Sequence, residues 1–286
     1  MVMVLYADAH MHTSPQGLGA LEVGKRFRSA GGWFAALVML PPWHYLDEFK
    51  PSLEYYEKAL KVFLSECEKL RSTGLRVVCL AGFHPAEVDK LVSRGLTPEQ
   101  VLELAEAVLR LEEELCRKGV LQGIGEIGRQ HYKTSPERFA IAETIMIRAL
   151  EIARDNDCIV HLHLENAGPA TARTVDRIVR LVKIDRRRIL FHHASVRVAR
   201  EATMLGYTAT IPGKLEALRR AFSELSPGFM VESDYIDDPH RPCVSVCPWD
   251  MVRFQGELLE RGEVDEELLV KVNIDNIVEF YRVEPP

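Results

Sequence analysis

The chain reads as an α/β protein forming a single (β/α)8 TIM-type barrel over residues 1–286. Three observations predict this. Short apolar runs alternate with longer segments whose apolar residues recur at helical spacing, and the alternation repeats eight times. Repeated βα units require a parallel sheet covered on both faces, and this number of units favours closing it. No glycine-rich phosphate loop follows the first strand, so a dinucleotide-binding sheet has no support. The length of 286 residues suits one barrel, a fold of about 250 residues. No low-complexity linker divides it.

The first strand covers residues 3–9 and runs into Asp8-Ala9-His10-Met11-His12, and a helix over 18–30 ends at Gly31-Gly32. A second apolar run, 33–40, is stopped by Pro41-Pro42. In residues 51–72, Leu53, Tyr56, Leu60, Phe63, Leu64, Cys67 and Leu70 recur at helical spacing; Gly74 closes that helix and 75–81 form the third strand. Thr97-Pro98-Glu99-Gln100 joins an N-cap to a proline at the first helical position, opening a helix that Gly119 closes. Residues 120–124 are expected as strand four, and Ser135-Pro136 opens the next helix, to Asn156. Strands over 158–163, 189–193, 207–211 and 229–233 follow, with helices over 170–183, 196–204, 214–224 and in the segment 248–282.

Barrels of this kind carry their chemistry at the C-terminal strand ends. Those ends hold His10 and His12, then Gly82-Phe83-His84-Pro85, Gly125-Glu126-Ile127-Gly128, His161 and His163, His192 and His193, and finally Glu232-Ser233-Asp234. Strand side chains alternate, so His10 and His12 share a face, as do His161 and His163. His192 and His193 should face opposite ways, leaving one of them to reach the site. Carboxylates buried among apolar strands need a counter-charge, which a divalent cation supplies. Imidazoles mixed with carboxylates suit one or two ions of Zn²⁺, Mn²⁺, Ni²⁺ or Mg²⁺, and too few thiolates converge for a structural zinc.

The net charge of -6 argues against a sequence-independent grip on nucleic acid, although a small basic cleft fits within it. No window approaches the ~18 uninterrupted apolar residues of a membrane span, and no basic leader precedes the first strand. The expectation is a cytoplasmic protein without a membrane partner. The six cysteines form no Cys-x-x-Cys pairs. Free buried thiols are expected, with a local disulfide or metal contact at Cys243 and Cys247 as the alternative.

Taken together, Asp8-x-His10-x-His12, Gly82-Phe83-His84-Pro85, Gly125-Glu126-Ile127-Gly128, the histidines of strands five and six, and Ser233-Asp234 resemble the TatD-type metal-dependent hydrolases of the amidohydrolase superfamily. The resemblance implies that His10, His12 and Asp234 hold one ion, that His161 and His193 hold a second, and that Glu126 bridges them. His163 and His192 stand as alternatives to His161 and His193. Asp234 then doubles as the general base. His84 is expected to support the site rather than to bind metal. Arg129 and Lys214, on loops after strands, are candidates to meet a substrate anion or are solvated surface charges. Arg186-Arg187-Arg188 belongs to the opposite rim. Arg129-Gln130-His131-Tyr132 stands where the family has Leu-Asp-Tyr, and Pro212-Gly213-Lys214 looks closer to a divergent archaeal-type branch.

The expected activity is hydrolysis by a metal-activated water. The leading substrate class, implied by the resemblance, is a phosphoester or phosphodiester, either a small molecule or a nucleic acid. A lactone, amide or other carbonyl substrate is the alternative, and a non-catalytic metal-binding barrel the second. The oligomeric state is not legible in the sequence.

Overall fold

The computed structural model describes residues 4–286; Met3, at the start of the first expected strand, lies outside the described residues. Eight strands, β1 (Tyr6–Met11), β2 (Gly32–Val38), β3 (Arg76–Ala81), β4 (Gly123–Gly128), β5 (Ile159–His163), β6 (Ile189–Phe191), β7 (Thr208–Pro212) and β8 (Phe229–Glu232), lie side by side in chain order. Each pairs in parallel with the next. The last strand returns to the first. Asp234 N donates to His10 O at 3.0 Å, His12 N to Tyr235 O at 2.9 Å, and Ser233 N to the Asp8 carboxylate at 2.9 Å. The architecture is the (β/α)8 barrel that the sequence predicts.

The covering helices are α1 (Gly19–Ser29), α2 (Leu53–Arg71), α3 (Pro85–Ser93), α4 (Pro98–Arg117), α5 (Pro136–Asn156), α6 (Pro169–Val182), α7 (Val196–Met204), α8 (Leu215–Glu224) and α9 (Pro248–Glu260), followed by α10 (Glu266–Val270) and α11 (Asn276–Tyr281). Thr97 caps α4 as expected, its hydroxyl accepting from Gln100 N at 3.3 Å. Helix α3 is an addition to the sequence reading. Its cap is His84, whose Nδ1 accepts from Ala86 N at 3.0 Å, a residue that does not announce a helix start.

Two strands differ from expectation. β4 lies at Gly123–Gly128 rather than 120–124, because Val120 still bonds back to Leu115 O at 2.9 Å in the closing turn of α4. The glycines are required where β4 meets β5: a Cβ on Gly128, at φ 146°, would stand 1.9 Å from His163 O. β6 ends at Phe191, not at 193, since His193 leaves the strand with φ 41°.

Alternate strand residues fill two layers. Ala35, Leu37, Val160, Leu162, Ile211 and Val231 pack outward with the helices. Ala7, Ala9, Phe34, Ala36, Val38, Leu80, Leu190 and Met230 pack together with Ile277, Phe280 and Tyr281 of α11 in a second cluster. The final helix thus lends side chains to the barrel's apolar interior. Between Asp8, opposite Ala35, and Met11, opposite Leu37, β1 carries one extra residue against β2, a bulge in the stretch that holds His10.

The free-thiol expectation is corrected at Cys67 and Cys79, and at Cys243 and Cys247 the alternative of a local disulfide holds. Cys67 of α2 is joined to Cys79 of β3 (Cα–Cα 6.4 Å) and Cys243 to Cys247 (4.9 Å), while Cys116 and Cys158 are free and buried. The first pair meets because α2 packs on β3, a contact that linear spacing does not reveal. Among the described residues no helix is long and apolar enough to cross a membrane.

Candidate metal centre

The C-terminal ends of β1, β4, β5, β6 and β8 deliver their polar side chains to one point. Glu126, 5% exposed, is at its centre. Its Oε1 lies 2.5 Å from His163 Nδ1, 3.1 Å from His192 Nε2 and 3.6 Å from His84 Nε2. Its Oε2 lies 3.5 Å from His12 Nε2 and 3.8 Å from His10 Nε2. Asp234, 24% exposed at its side chain, stands at the rim with Oδ1 3.8 Å from His12 Nε2 and 3.7 Å from His192 Nε2.

Three sets of potential ligand atoms lie within 4.8 Å of one another: Glu126 with His163, His192 and His193; His10 with His12 and Asp234; and His10 with His192 and Glu232. His10, His12, Glu126, His193 and Asp234 of the expected set therefore converge. His161 lies in none of these groups. Its Nδ1 meets His10 Nδ1 at 3.0 Å and its Nε2 meets the Tyr281 hydroxyl at 3.1 Å, deeper in the barrel. His163, two residues later and at the strand's very end, faces Glu126.

The expectation that His192 and His193 diverge is also corrected. Strand alternation no longer applies once β6 has ended, and both rings enter the site with centroids 4.3 Å apart. His193 Nε2 comes to 3.3 Å from His163 Nδ1. Glu232, to which the sequence assigned no role, holds both: it pairs with His192 Nδ1 at 2.8 Å and accepts from His193 N at 2.7 Å.

Electrostatics set the charge states. Burial pushes the Glu126 carboxyl up, but His84, His192 and His163 outweigh it and hold it well below the usual carboxylate range. Burial lowers His163 and His161, each to about 3, so both rings are neutral. Burial also opposes charge on His12 and His192, yet Asp234 and Glu126 raise the first, and Glu232 and Glu126 raise the second well above the ordinary histidine value. The cluster thus attracts positive charge to two of its nitrogens.

These donors fit a divalent cation. His12 Nδ1 donates to Val38 O at 2.8 Å, leaving its Nε2 lone pair for the centre. His192 Nε2 is buried and makes no hydrogen bond, although Glu126 is near. Such imidazole nitrogens beside two carboxylates are the ligand chemistry of zinc and related ions. His84 does not fit as a ligand: its Nδ1 caps α3, so in the neutral ring Nε2 carries the hydrogen that faces Glu126.

The remaining cations are placed as follows. Arg129 is buried and committed to Glu165 (2.9 and 2.7 Å), Glu143 (3.2 Å) and Thr174 (3.2 Å), so neither of its expected roles applies. Lys214 is exposed beside α8. Arg186–Arg188 precede β6, at its N-terminal end, where Arg188 pairs with Asp157 and Arg186 with Asp176. His131, in the segment that departs from the family's Leu-Asp-Tyr and without a role assigned from sequence, is exposed, and its Nδ1 lies 2.6 Å from His163 Nε2.

Comparison with known proteins agrees with this geometry. An uncharacterised protein of Methanocaldococcus jannaschii is 25% identical over 278 residues, covering 97% of this chain and 95% of that one. A TatD-like protein from Archaeoglobus fulgidus is 20% identical with a TM-score of 0.64, covering 97% of this chain and all of the other. A TatD homologue from Escherichia coli is 19% identical with a TM-score of 0.68, covering 99% of this chain and all of the other. A PTE-like lactonase variant from Deinococcus radiodurans is 14% identical with a TM-score of 0.62, over 97% and 96% of the two chains. At these identities the three structures share the fold. A family model described as TatD related DNase matches residues 7–282, nearly the whole barrel. The chain belongs to the TatD related DNase family and is a metal-dependent hydrolase.

Proposed function

We propose that the protein hydrolyses a phosphodiester or phosphoester at a two-ion centre in which Glu126 is shared. His10, His12 and Asp234 form one side, and His163 and His192, with His193 beside them, form the other. His163 takes the place expected of His161. The carrying observation is the division of Glu126 itself: Oε1 faces His163 and His192 while Oε2 faces His12 and His10. Divalent cations bound there supply Lewis-acid charge and activate water at neutral pH.

The chain's own residues then have separable tasks. Val38 O and Glu232 hold the Nδ1 sides of His12 and His192, orienting the opposite nitrogens. Asp234, between His12 and His192 and partly open to solvent, is placed to take a proton from the attacking water. His131 is the exposed imidazole next to the centre, suited to contact substrate. The family's description as DNases supports a phosphodiester substrate, as does the match between two cations and the attacking and leaving oxygens of phosphoryl cleavage.

A second reading has one observation in its favour. Arg129, the candidate anion clamp, is spent on Glu165 and Glu143, and the net charge is -6. A lactone or other neutral carbonyl substrate needs no such clamp, and the Deinococcus protein that shares the fold is a PTE-like lactonase variant. The test is metal analysis of the purified protein, then turnover of bis(p-nitrophenyl) phosphate, single-stranded DNA and a lactone panel with Mn²⁺, Zn²⁺, Ni²⁺ and Mg²⁺. Phosphodiester cleavage supports the proposal. Its complete absence beside lactone turnover selects the second reading, and no phosphodiester turnover with any of the four metals overturns the proposal. Steep loss of DNA cleavage as salt rises marks a nucleic-acid substrate.

A further inference from the structure

His161 sits one strand repeat below His163, and its contacts run toward the barrel floor. The direction of each hydrogen bond follows from the far end. The Ala9 carbonyl only accepts, and the Tyr281 hydroxyl lies 2.6 Å from it, so the phenol's single hydrogen goes there. Tyr281 therefore meets His161 Nε2, at 3.1 Å, with a lone pair, and Nε2 carries the hydrogen. A neutral imidazole carries a single ring hydrogen, so with that hydrogen on Nε2 the His161 Nδ1 is bare. The neighbouring His10 Nδ1, at 3.0 Å, then donates. That leaves His10 Nε2 as a lone pair, aimed at the space where His12 Nε2 (3.3 Å) and Glu126 Oε2 (3.8 Å) converge.

We propose that His161 and Tyr281 are positioning residues: a relay from the Ala9 carbonyl through Tyr281 and His161 holds His10 in its Nδ1–H tautomer and presents Nε2 to a cation. Metal-binding histidines ordinarily anchor their second nitrogen on a carbonyl or a carboxylate. His12 does so directly on Val38 O, and His192 on Glu232. His10 reaches a carbonyl only through two intervening side chains, the second from α11, 272 residues from Ala9. The C-terminal helix is thereby part of the candidate metal centre, and a histidine in a ligand-like strand position serves another histidine instead. The cation half of the inference rests on His10 being a ligand; the tautomer half does not.

The experiment reads tautomers first and ions second. Protein labelled with ¹⁵N-histidine and stripped of metal is examined by long-range ¹H–¹⁵N correlation, and divalent affinity is measured by competition with a chelating dye. Wild type should show His10 protonated at Nδ1 and His161 at Nε2. Tyr281→Phe should mix the tautomers of both rings and weaken Zn²⁺ or Mn²⁺ binding about 10- to 100-fold. His161→Asn, which keeps an acceptor near the Nδ1 position, should retain most of the affinity that His161→Leu loses. Near-UV circular dichroism checks that each variant is folded, and the Asn/Leu contrast remains should Tyr281→Phe not fold. Unchanged His10 tautomer and affinity in Tyr281→Phe would overturn the relay. So would equal loss in the Asn and Leu variants, which would make His161 a ligand. Wild type with the expected tautomers but no bound ion would uphold the relay and defeat the metal reading alone.

Discussion

Replacing Glu126 by glutamine keeps the shape of a side chain ringed by histidines and removes its charge. Five imidazole nitrogens lie 2.5 to 3.8 Å from its oxygens, and only 5% of the residue is exposed. Its carboxyl is held well below the usual range by His84, His192 and His163 against the opposing effect of burial, so it is ionised at neutral pH. At an effective dielectric of 20, one unit charge at about 4 Å contributes about 4 kcal/mol. Counting a single unit of a cation's charge, Glu126→Gln should weaken divalent binding about 10³-fold. Chelator competition and metal content after gel filtration measure this, with near-UV circular dichroism as the folding control. Turnover should fall with occupancy and recover only partly at saturating metal, because both ion positions lose a shared ligand. A folded variant that keeps full metal content with affinity within tenfold of wild type would refute the bridging role.

Three further outcomes follow from the same contacts. Stripping the metal should lower the melting temperature by about 7 °C, since an ion present at 1,000 times its Kd stabilises by about 4 kcal/mol; identical melting curves with and without chelator would contradict a resident ion. Arg129→Ala should cost about 2–3 kcal/mol in urea unfolding, less than breaking a wholly buried pair because Glu143 and Glu165 are 34% and 27% exposed; a change below about 0.5 kcal/mol, the range of ordinary surface substitutions, would count against its structural role. Burial raises the Glu87 carboxyl to about 7, so the folded chain keeps a proton that the unfolded chain releases near pH 4.5. That stabilisation is full below pH 4.5 and is lost as pH rises through 7. Relative to Glu87→Gln, wild type should therefore lose about 3 kcal/mol between about pH 4 and pH 8; a pH-independent difference would sink this.

His161 and His163 show where sequence reasoning stopped. Both lie on β5 and share a face, so the period of the strand does not separate them. The family resemblance favours His161 and leaves His163 as the alternative. A physical signal did exist, because barrel chemistry sits at the final residues of each strand and His163 is the last residue of β5. The pair His192 and His193 misled for a related reason: alternation holds only inside a strand, and β6 stops at Phe191. Tyr281 carried no signal at all, standing 120 residues from His161 on a helix that reads as ordinary cover.

By itself the chain determined the order of βα units, hence the barrel, and the residue types gathered at its strand ends. Periodicity and strand-end position are local properties, written within a few residues. Which histidine faces Glu126 and which faces another histidine, and that Glu232 and Tyr281 contact rings on other strands, was decided only when the cylinder closed. Those choices depend on where a strand ends, how β1 bulges and what α11 inserts into the interior, and each is a contact between residues far apart in the chain.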